Sequence, residues 1–342
     1  MKQGRAIIGA DDRQAADAEA DIAVEAWADS EVRAFTIAAS QHGERLDRAL
    51  AALVPEFSRS YLRQLIDGGA VTLGEKAAGR ASQKVRAGDS LAVVLRPTPQ
   101  SQAFRPEAIA LAVVHEDRHL LVIDKPAGLV VHPAPGNWSG TLLNALLARD
   151  ARFAALPRAG IVHRLDKDTS GLMVVARSRE AMDRLVAMIG ARKVARQYIA
   201  LAHRAWEGPA QRLVDAPIGR DPRNRLRMAV VDTARHPGKP ASTSIELLAN
   251  GESGCCVRAT LQTGRTHQIR VHMAHIGHPL VADALYGGAP AAGLTRQALH
   301  AYRLAFEHPV TAEPLAFHSA LPADLREALH SWGLRYNEPD GS

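Results

Sequence analysis

Two short polar runs hold most of the chemistry open to this chain's residue types. The first, His163-Arg164-Leu165-Asp166-Lys167-Asp168-Thr169-Ser170-Gly171, leads into an apolar segment, and a polar loop entering a buried strand is a common place for a site. Asp166 and Asp168 lie two residues apart. In a regular extended segment their carboxylates would share a face at roughly 7 Å, a separation that suits hydrolysis of a glycosidic bond with inversion. The plainer reading is a loop in which Asp and Thr side chains bond the nearby backbone. The second run, Thr263-Gly264-Arg265-Thr266-His267-Gln268-Ile269-Arg270-Val271-His272-Met273, follows a strand-like segment. Gly264 and Thr266 are expected to open a helix running toward Gly277, and a helix start attracts anions. Arg270 would then sit about one turn inside, within reach of a buried carboxylate. Such a pairing favours the ionised form that a nucleophilic carboxylate needs.

Other chemistries find less support. His267, His272, His275 and His278 are separated by five, three and three residues, which does not reproduce the His-Glu-x-x-His helix of metalloproteases, and no carboxylate lies among them. No metal is expected. There is no glycine-rich phosphate loop of the Walker or dinucleotide type, so nucleotide cofactors are disfavoured.

The elements that must position these residues follow from length and pattern. A chain of 342 residues suggests about two domains. With 46% hydrophobic and 23% charged residues it is an ordinary globular protein, not a fibre or a wholly disordered chain. Residues 1–33 hold 8 acids and 4 bases and read as an acidic disordered tail. The net charge of +6 is therefore −4 in the tail and +10 in the remainder, and an anionic partner is plausible for the basic part. Only 15 residues are Phe, Tyr or Trp, so recognition by a surface paved with stacking rings is not expected and mainly cationic contacts are. A compact unit is expected from Glu44, with Leu46, Leu50 and Leu53 on one helix. A second helix starts at Ser58 with Leu62, Leu65 and Ile66 inside and Gly68-Gly69 as its stop. Strands at Ala70–Leu73 and Ser90–Leu95 complete it, and Arg45, Arg48, Arg59, Arg63, Lys76, Lys84 and Arg86 punctuate it. Residues 97–106 read as a linker.

Beyond Ala108 the pattern predicts strands at Leu120–Ile123, Leu129–Val131, Gly171–Ala176, Val194–Leu201 and Gly254–Thr263. It also predicts a helix capped by Ser178 with Met182, Leu185, Val186 and Ile189 as its apolar stripe. No array of strand-helix-strand repeats appears, which favours an α+β fold with a mixed, mainly antiparallel central sheet and flanking helices. Cys255 and Cys256 are adjacent and cannot close a useful loop, in keeping with a reducing cytoplasm. No apolar stretch approaches the roughly 18 residues of a membrane span, and no basic segment followed by an apolar one opens the chain, so neither membrane insertion nor export is expected.

Longer motifs carry a resemblance. Residues 45–94 resemble the small helix-helix-hairpin RNA-binding domain of the ribosomal-protein-S4 type, with Val71-Thr72-Leu73-Gly74 in place of its usual Val-Asn-Gly. VIDKPAGLVVHPAPGNWSGTLLNALL (122–147), GIVHRLDKDTSGLMVVARS (160–178), ARQYIAL (195–201), VDAPIGRD, RLRMAV, GKPAST, TGRTHQIRVHMAHIGHPLVADALYG (263–287) and LHAYRLAFEHP follow in order. Together they resemble the ribosomal large-subunit pseudouridine synthases of the RluA type, over about residues 44–325. The stretch Gly128–Pro133 is most like the RluD branch. The resemblance implies a catalytic domain at 107–325, a C-terminal tail at 326–342, and isomerisation of uridine to pseudouridine in large-subunit ribosomal RNA or a ribosomal precursor particle. It implies no cofactor, and a monomer is expected. A transfer RNA substrate, another ribosomal site, or a non-catalytic assembly factor are the alternatives. It further implies that Asp166 is the catalytic aspartate and that Arg164 fills the gap left by a flipped uridine. Tyr198 would pack on the uracil and assist proton loss from C5, Arg270 would pair with the aspartate, and Leu280 would line the pocket. Whether Asp166 attacks the sugar or assists departure of the base through a glycal is left open by the motif.

Overall fold

The computed structural model describes residues 31–336 apart from 56, 58, 96–102, 135, 136, 225 and 226. The chain divides into two compact units, 1–102 and 103–342. The first places β1 (Glu31–Thr36), α1 (Leu46–Leu53), α2 (Arg59–Asp67), β2 (Val71–Leu73), β3 (Lys76–Ala77) and β4 (Ser90–Leu95) in that order. Its sheet runs β1-β4-β2-β3, antiparallel throughout. The helical leucines do what their spacing requires: Leu46, Leu50, Leu62 and Ile66 are buried against Val71, Leu91 and Val93. Gly69, at φ +70°, ends α2 in the left-handed conformation that glycine adopts without strain, and Ala70 N–H returns to the Leu65 carbonyl.

One boundary moves. The unit begins by Glu31, not at Glu44, because residues 31–36 pair along the whole of β4 from Glu31↔Leu95 to Thr36↔Ser90. An edge strand keeps charged side chains against unwanted pairing, and Glu31 and Arg33 made this one look like the end of an acidic tail. Residues 1–30 and the expected Ser58 cap lie outside the described residues, as do linker residues 97–102. Of the rest of that linker, Ala103 is buried and the Arg105 carbonyl accepts from Asn144 Nδ2 at 2.8 Å, so it belongs to the second unit.

The second unit is built on one large sheet. Its strands are β5 (Ala112–Glu116), β6 (Leu120–Lys125), β7 (Ser170–Ala176), β8 (Ala195–His203), β9 (Gln211–Asp215), β13 (Ser242–Asn250), β14 (Gly254–Leu261), β15 (Leu299–Glu307) and β16 (Pro314–His318). The order is β5-β6-β7-β15-β8-β14-β13-β9, with β16 on β15. All neighbours are antiparallel except β7 and β15. A small three-stranded sheet of β10 (Ile218–Arg220), β11 (Met228–Val230) and β12 (Gly238–Lys239) is appended. The expected α+β architecture holds.

Both faces of the large sheet are covered, which is why its central strands read as unbroken apolar runs. On β6, Leu121 and Ile123 enter one core with Leu142 and Leu146 of α3 (Leu142–Arg149) and Ile269 and Met273 of α5 (Gln268–His275). Leu120 and Val122 face the other way, against Ala181 and Leu185 of α4 (Arg179–Gly190). Ser178 caps α4 by accepting the Ala181 N–H, as expected, whereas Val186 is 50% exposed and stands off the apolar stripe.

Three further expectations are corrected. Leu129–Val131 forms no strand, only a single bridge from Val130 to Thr141. Lys125, fully buried, donates its ammonium to the carbonyls of Pro126, Leu129 and Lys167 at 2.8, 2.9 and 2.9 Å, so the segment turns around a cation instead of joining a ladder. The run from Thr263 opens its helix at Gln268, because Gln268 Oε1 accepts from Thr263 Oγ1 and the Arg265 N–H and folds the preceding residues into a turn. Residues 326–342 are no simple tail: α6 (Ala323–Ser331) buries Leu325, Ala328 and Leu329 at helical spacing, and Leu334 follows them into the core. Among the described residues no helix is long and apolar enough to cross a membrane.

Candidate active site

The loop before β7 and the start of α5 meet at a cavity of about 640 Å³. Asp166 stands in that loop, which is fixed by local bonds: Thr169 N–H reaches the Asp166 carbonyl, and Gly128 N–H and the Lys125 ammonium both reach the Lys167 carbonyl. Asp166 Oδ2 accepts from Arg270 Nη1 at 3.0 Å. The rest of the Arg270 fork donates to Asp283 at 2.7 and 2.9 Å, and Asp283 is almost wholly buried. Burial alone would disfavour the Arg270 charge, but the hydrogen bonds and charge of Asp283, with Asp166 beside it, hold the guanidinium above its usual range. Its plane lies 5.0 Å from the ring centre of Tyr286.

Tyr286 also meets the neighbouring histidine. Its hydroxyl accepts the Met228 N–H and lies 2.8 Å from His267 Nδ1, within hydrogen-bond distance. His267 Nε2 lies 3.8 Å from Asp166 Oδ1. Burial pulls this imidazole below its usual range against the opposing pull of Asp166.

Tyr198 comes from β8 and lines the same cavity, 4% exposed. Burial pushes its phenol up to about 12, so it is un-ionised at neutral pH and offers a ring for packing rather than a ready base. Arg164 is exposed at the cavity edge. The structure thus brings together Asp166, Arg164, Tyr198 and Arg270. Leu280 is different: it is fully buried in the core cluster that holds Tyr198 and Met273, its backbone bridges Ala202, and it does not reach the cavity, whose apolar wall is supplied by Leu165, Leu261, Ile269 and Leu299.

Among the described lining residues there is one carboxylate, Asp166, and there are six arginines. Asp168 does not reach the cavity, and its carbonyl is tied to Arg296 Nη1 at 3.0 Å, so no pair of carboxylates faces a common substrate. The four histidines part ways. His272 is buried between Thr243 Oγ1 and the Ala216 carbonyl, His278 stacks on Trp206 and His275 is exposed. No group of three or more His, Cys, Asp or Glu side chains among the described residues is placed to hold a metal. Cys255 and Cys256 are buried on opposite faces of β14, their thiols pushed up to about 12 by burial.

Sequence reasoning missed several residues of this site. Arg196 could have been found, because it stands two before Tyr198 on one strand and must share its face. Asp283 lies 13 residues beyond Arg270, and Arg158, Arg192 and His132 come from separate segments with no local signal.

The comparisons with known proteins agree with this geometry. The RNA pseudouridylate synthase profile matches residues 119–275, and the S4 domain profile matches residues 44–91. A ribosomal large subunit pseudouridine synthase D from Xanthomonas campestris is 48% identical over 296 residues, covering 83% of this chain and 87% of the relative. Proteins of the same name from Neisseria meningitidis and Escherichia coli are 46% and 43% identical, covering 80% and 81% of this chain and 75% and 86% of theirs. Among solved structures, the human RNA pseudouridylate synthase domain containing 1 superposes with a TM-score of 0.53 at 25% identity, over 69% of this chain and 93% of its own. The human domain containing 4 protein, at 23% identity and a TM-score of 0.53, shares the fold over 66% of this chain and 95% of its own. With relatives of this identity and coverage, and one carboxylate held by an arginine in a cationic cavity, the chain belongs to the RNA pseudouridylate synthase family.

Proposed function

We propose that this protein works in the cytoplasm on large-subunit ribosomal RNA, where it isomerises chosen uridines to pseudouridine with Asp166 as nucleophile. The observation that carries the reading is the lone cavity carboxylate, oriented by Arg270 in a wall otherwise rich in arginine. Isomerisation breaks the C1′–N1 bond, turns the base and rejoins it through C5, so a single carboxylate attacking C1′ suffices to open the reaction. The target uridine must leave its stack to reach Asp166, at a cost of a few kcal/mol. In this reading Arg164, exposed at the cavity edge, fills the vacated space, and Tyr198, on the cavity wall, packs on the flipped ring. Exposed Arg158 and Arg192 are available to the flanking phosphates. The S4 domain adds backbone contacts outside the cavity.

The test is a map of pseudouridines in ribosomal RNA from cells with and without this gene. Loss of specific large-subunit positions, restored by the wild-type gene and not by Asp166→Asn, is the expected result. An unchanged map would overturn the assignment.

A further inference from the structure

Arg196 is the unusual cation of the cavity. It is 6% exposed and lines the same wall as Asp166 and Tyr198. Its Nε is buried without a hydrogen-bond partner among the described residues, and no described carboxylate pairs with it. Arg270, by contrast, is balanced by both Asp166 and Asp283. A buried cation without a counter-charge is destabilising, and it persists where a ligand supplies the missing charge. The backbone leaves room for it deliberately: a Cβ on Gly264 would lie 2.8 Å from Arg196 Nη1, so glycine there lets the guanidinium lie flat against the chain. Beside it, His163 Nε2 accepts the Val174 N–H at 3.1 Å, which leaves the ring proton on Nδ1, and that atom too is buried without a partner. Both residues line the cavity, and each keeps a buried donor without a partner among the described residues.

We propose that Arg196 is a catalytic residue whose guanidinium takes up the negative charge that passes onto the uracil carbonyl oxygens when the C1′–N1 bond breaks. This rests on the isomerase reading above. As Asp166 bonds to C1′, the electron pair of the C1′–N1 bond passes into the uracil ring and is spread over N1, O2 and O4. In the return step C5 bonds to C1′, the bond to Asp166 breaks and restores the carboxylate, C5 loses its proton and N1 gains one. The charge on the free base exists only between these steps, so a donor aimed at it speeds turnover more than it tightens binding. A phosphate is the less suitable ligand for so deep a group, since exposed Arg158, Arg164 and Arg192 already stand at the cavity edge.

The experiment compares wild type, Arg196→Gln and Gly264→Ala as full-length proteins, using single-turnover pseudouridine formation on a large-subunit RNA fragment and RNA affinity at several salt concentrations. Arg196→Gln is expected to lower the saturating rate by about 10²–10³-fold, with affinity and its salt slope nearly unchanged. Gly264→Ala, which keeps the arginine but displaces its guanidinium, should lower the rate in the same sense, and it decides the matter if Arg196→Gln fails to fold. A rate near wild type in either folded variant would overturn the proposal. So would a defect confined to affinity with a shallower salt slope, which would mark Arg196 as a phosphate contact. If wild type itself forms no pseudouridine, the isomerase reading fails instead.

Discussion

At the scale of single residues, the site depends on where charge is balanced. Asp283 does not line the cavity, yet it holds two of the three Arg270 guanidinium nitrogens. Asp283→Asn is expected to lower stability by about 3 kcal/mol, because it leaves a buried guanidinium half-paired, and to slow turnover by releasing the partner of Asp166. Urea midpoints and single-turnover rates check both effects, and an unchanged midpoint would contradict the pairing. The half-buried histidines of the cavity wall make a second expectation. Burial, with Arg196 beside it, pulls His163 down to about 3, and burial with the neighbouring arginines pulls His132 to about 4. In the unfolded chain both titrate near 6.5, so as pH falls below that value the unfolded state takes up protons first, and stability present above 6.5 is lost toward the folded values. His163→Gln keeps a side chain that can accept the Val174 N–H but does not titrate. Its loss of stability between pH 7.5 and 4.5 should be smaller than that of wild type by about 2 kcal/mol. Parallel losses would contradict a neutral His163. Asp166 and Arg164 share one motif and Tyr198 and Arg270 each sit in another, so their meeting at one cavity was legible in the sequence through the resemblance those motifs carry. Asp283 and Arg196 were not read there, since their meaning comes from partners they meet, or fail to meet, only after folding.

At the scale of elements, packing on both faces explains what could be read. β6, β7 and β8 announce themselves as apolar runs because helices cover both sides, whereas β1 is an edge whose charges hid it, and Leu129–Val131 was lost to the carbonyl-binding ammonium of Lys125. The parallel pairing of β7 with β15 is a close backbone approach near the site: Gly171 has φ +114°, and a Cβ there would lie 2.3 Å from the Ala301 carbonyl oxygen. Gly171→Ala should therefore destabilise the second unit by more than about 3 kcal/mol, measured by urea unfolding, and a loss under about 1 kcal/mol would contradict that contact. The helix α6 escaped notice for a different reason. Its apolar residues are few and look like part of a polar tail until Ile199, Leu201 and Tyr302 are seen beneath them.

At the scale of the whole molecule, the proposed function asks for two kinds of RNA contact, in the cavity and on the S4 unit. The S4 unit exposes Lys76, Lys84 and Arg86, away from any catalytic role. Replacing all three with Gln should weaken RNA binding and reduce the slope of log affinity against log salt by about 2, while the saturating rate stays near wild type. An unchanged slope would remove the S4 unit from the binding surface. The proposed chemistry converges on Asp166, and pseudouridine formation in large-subunit ribosomal RNA by wild type and Asp166→Asn, under single turnover with affinity measured alongside, tests it most directly. Product from wild type, none from Asp166→Asn, and RNA affinity within about twofold for the two proteins is the expected result. Product from Asp166→Asn at the wild-type rate would contradict it.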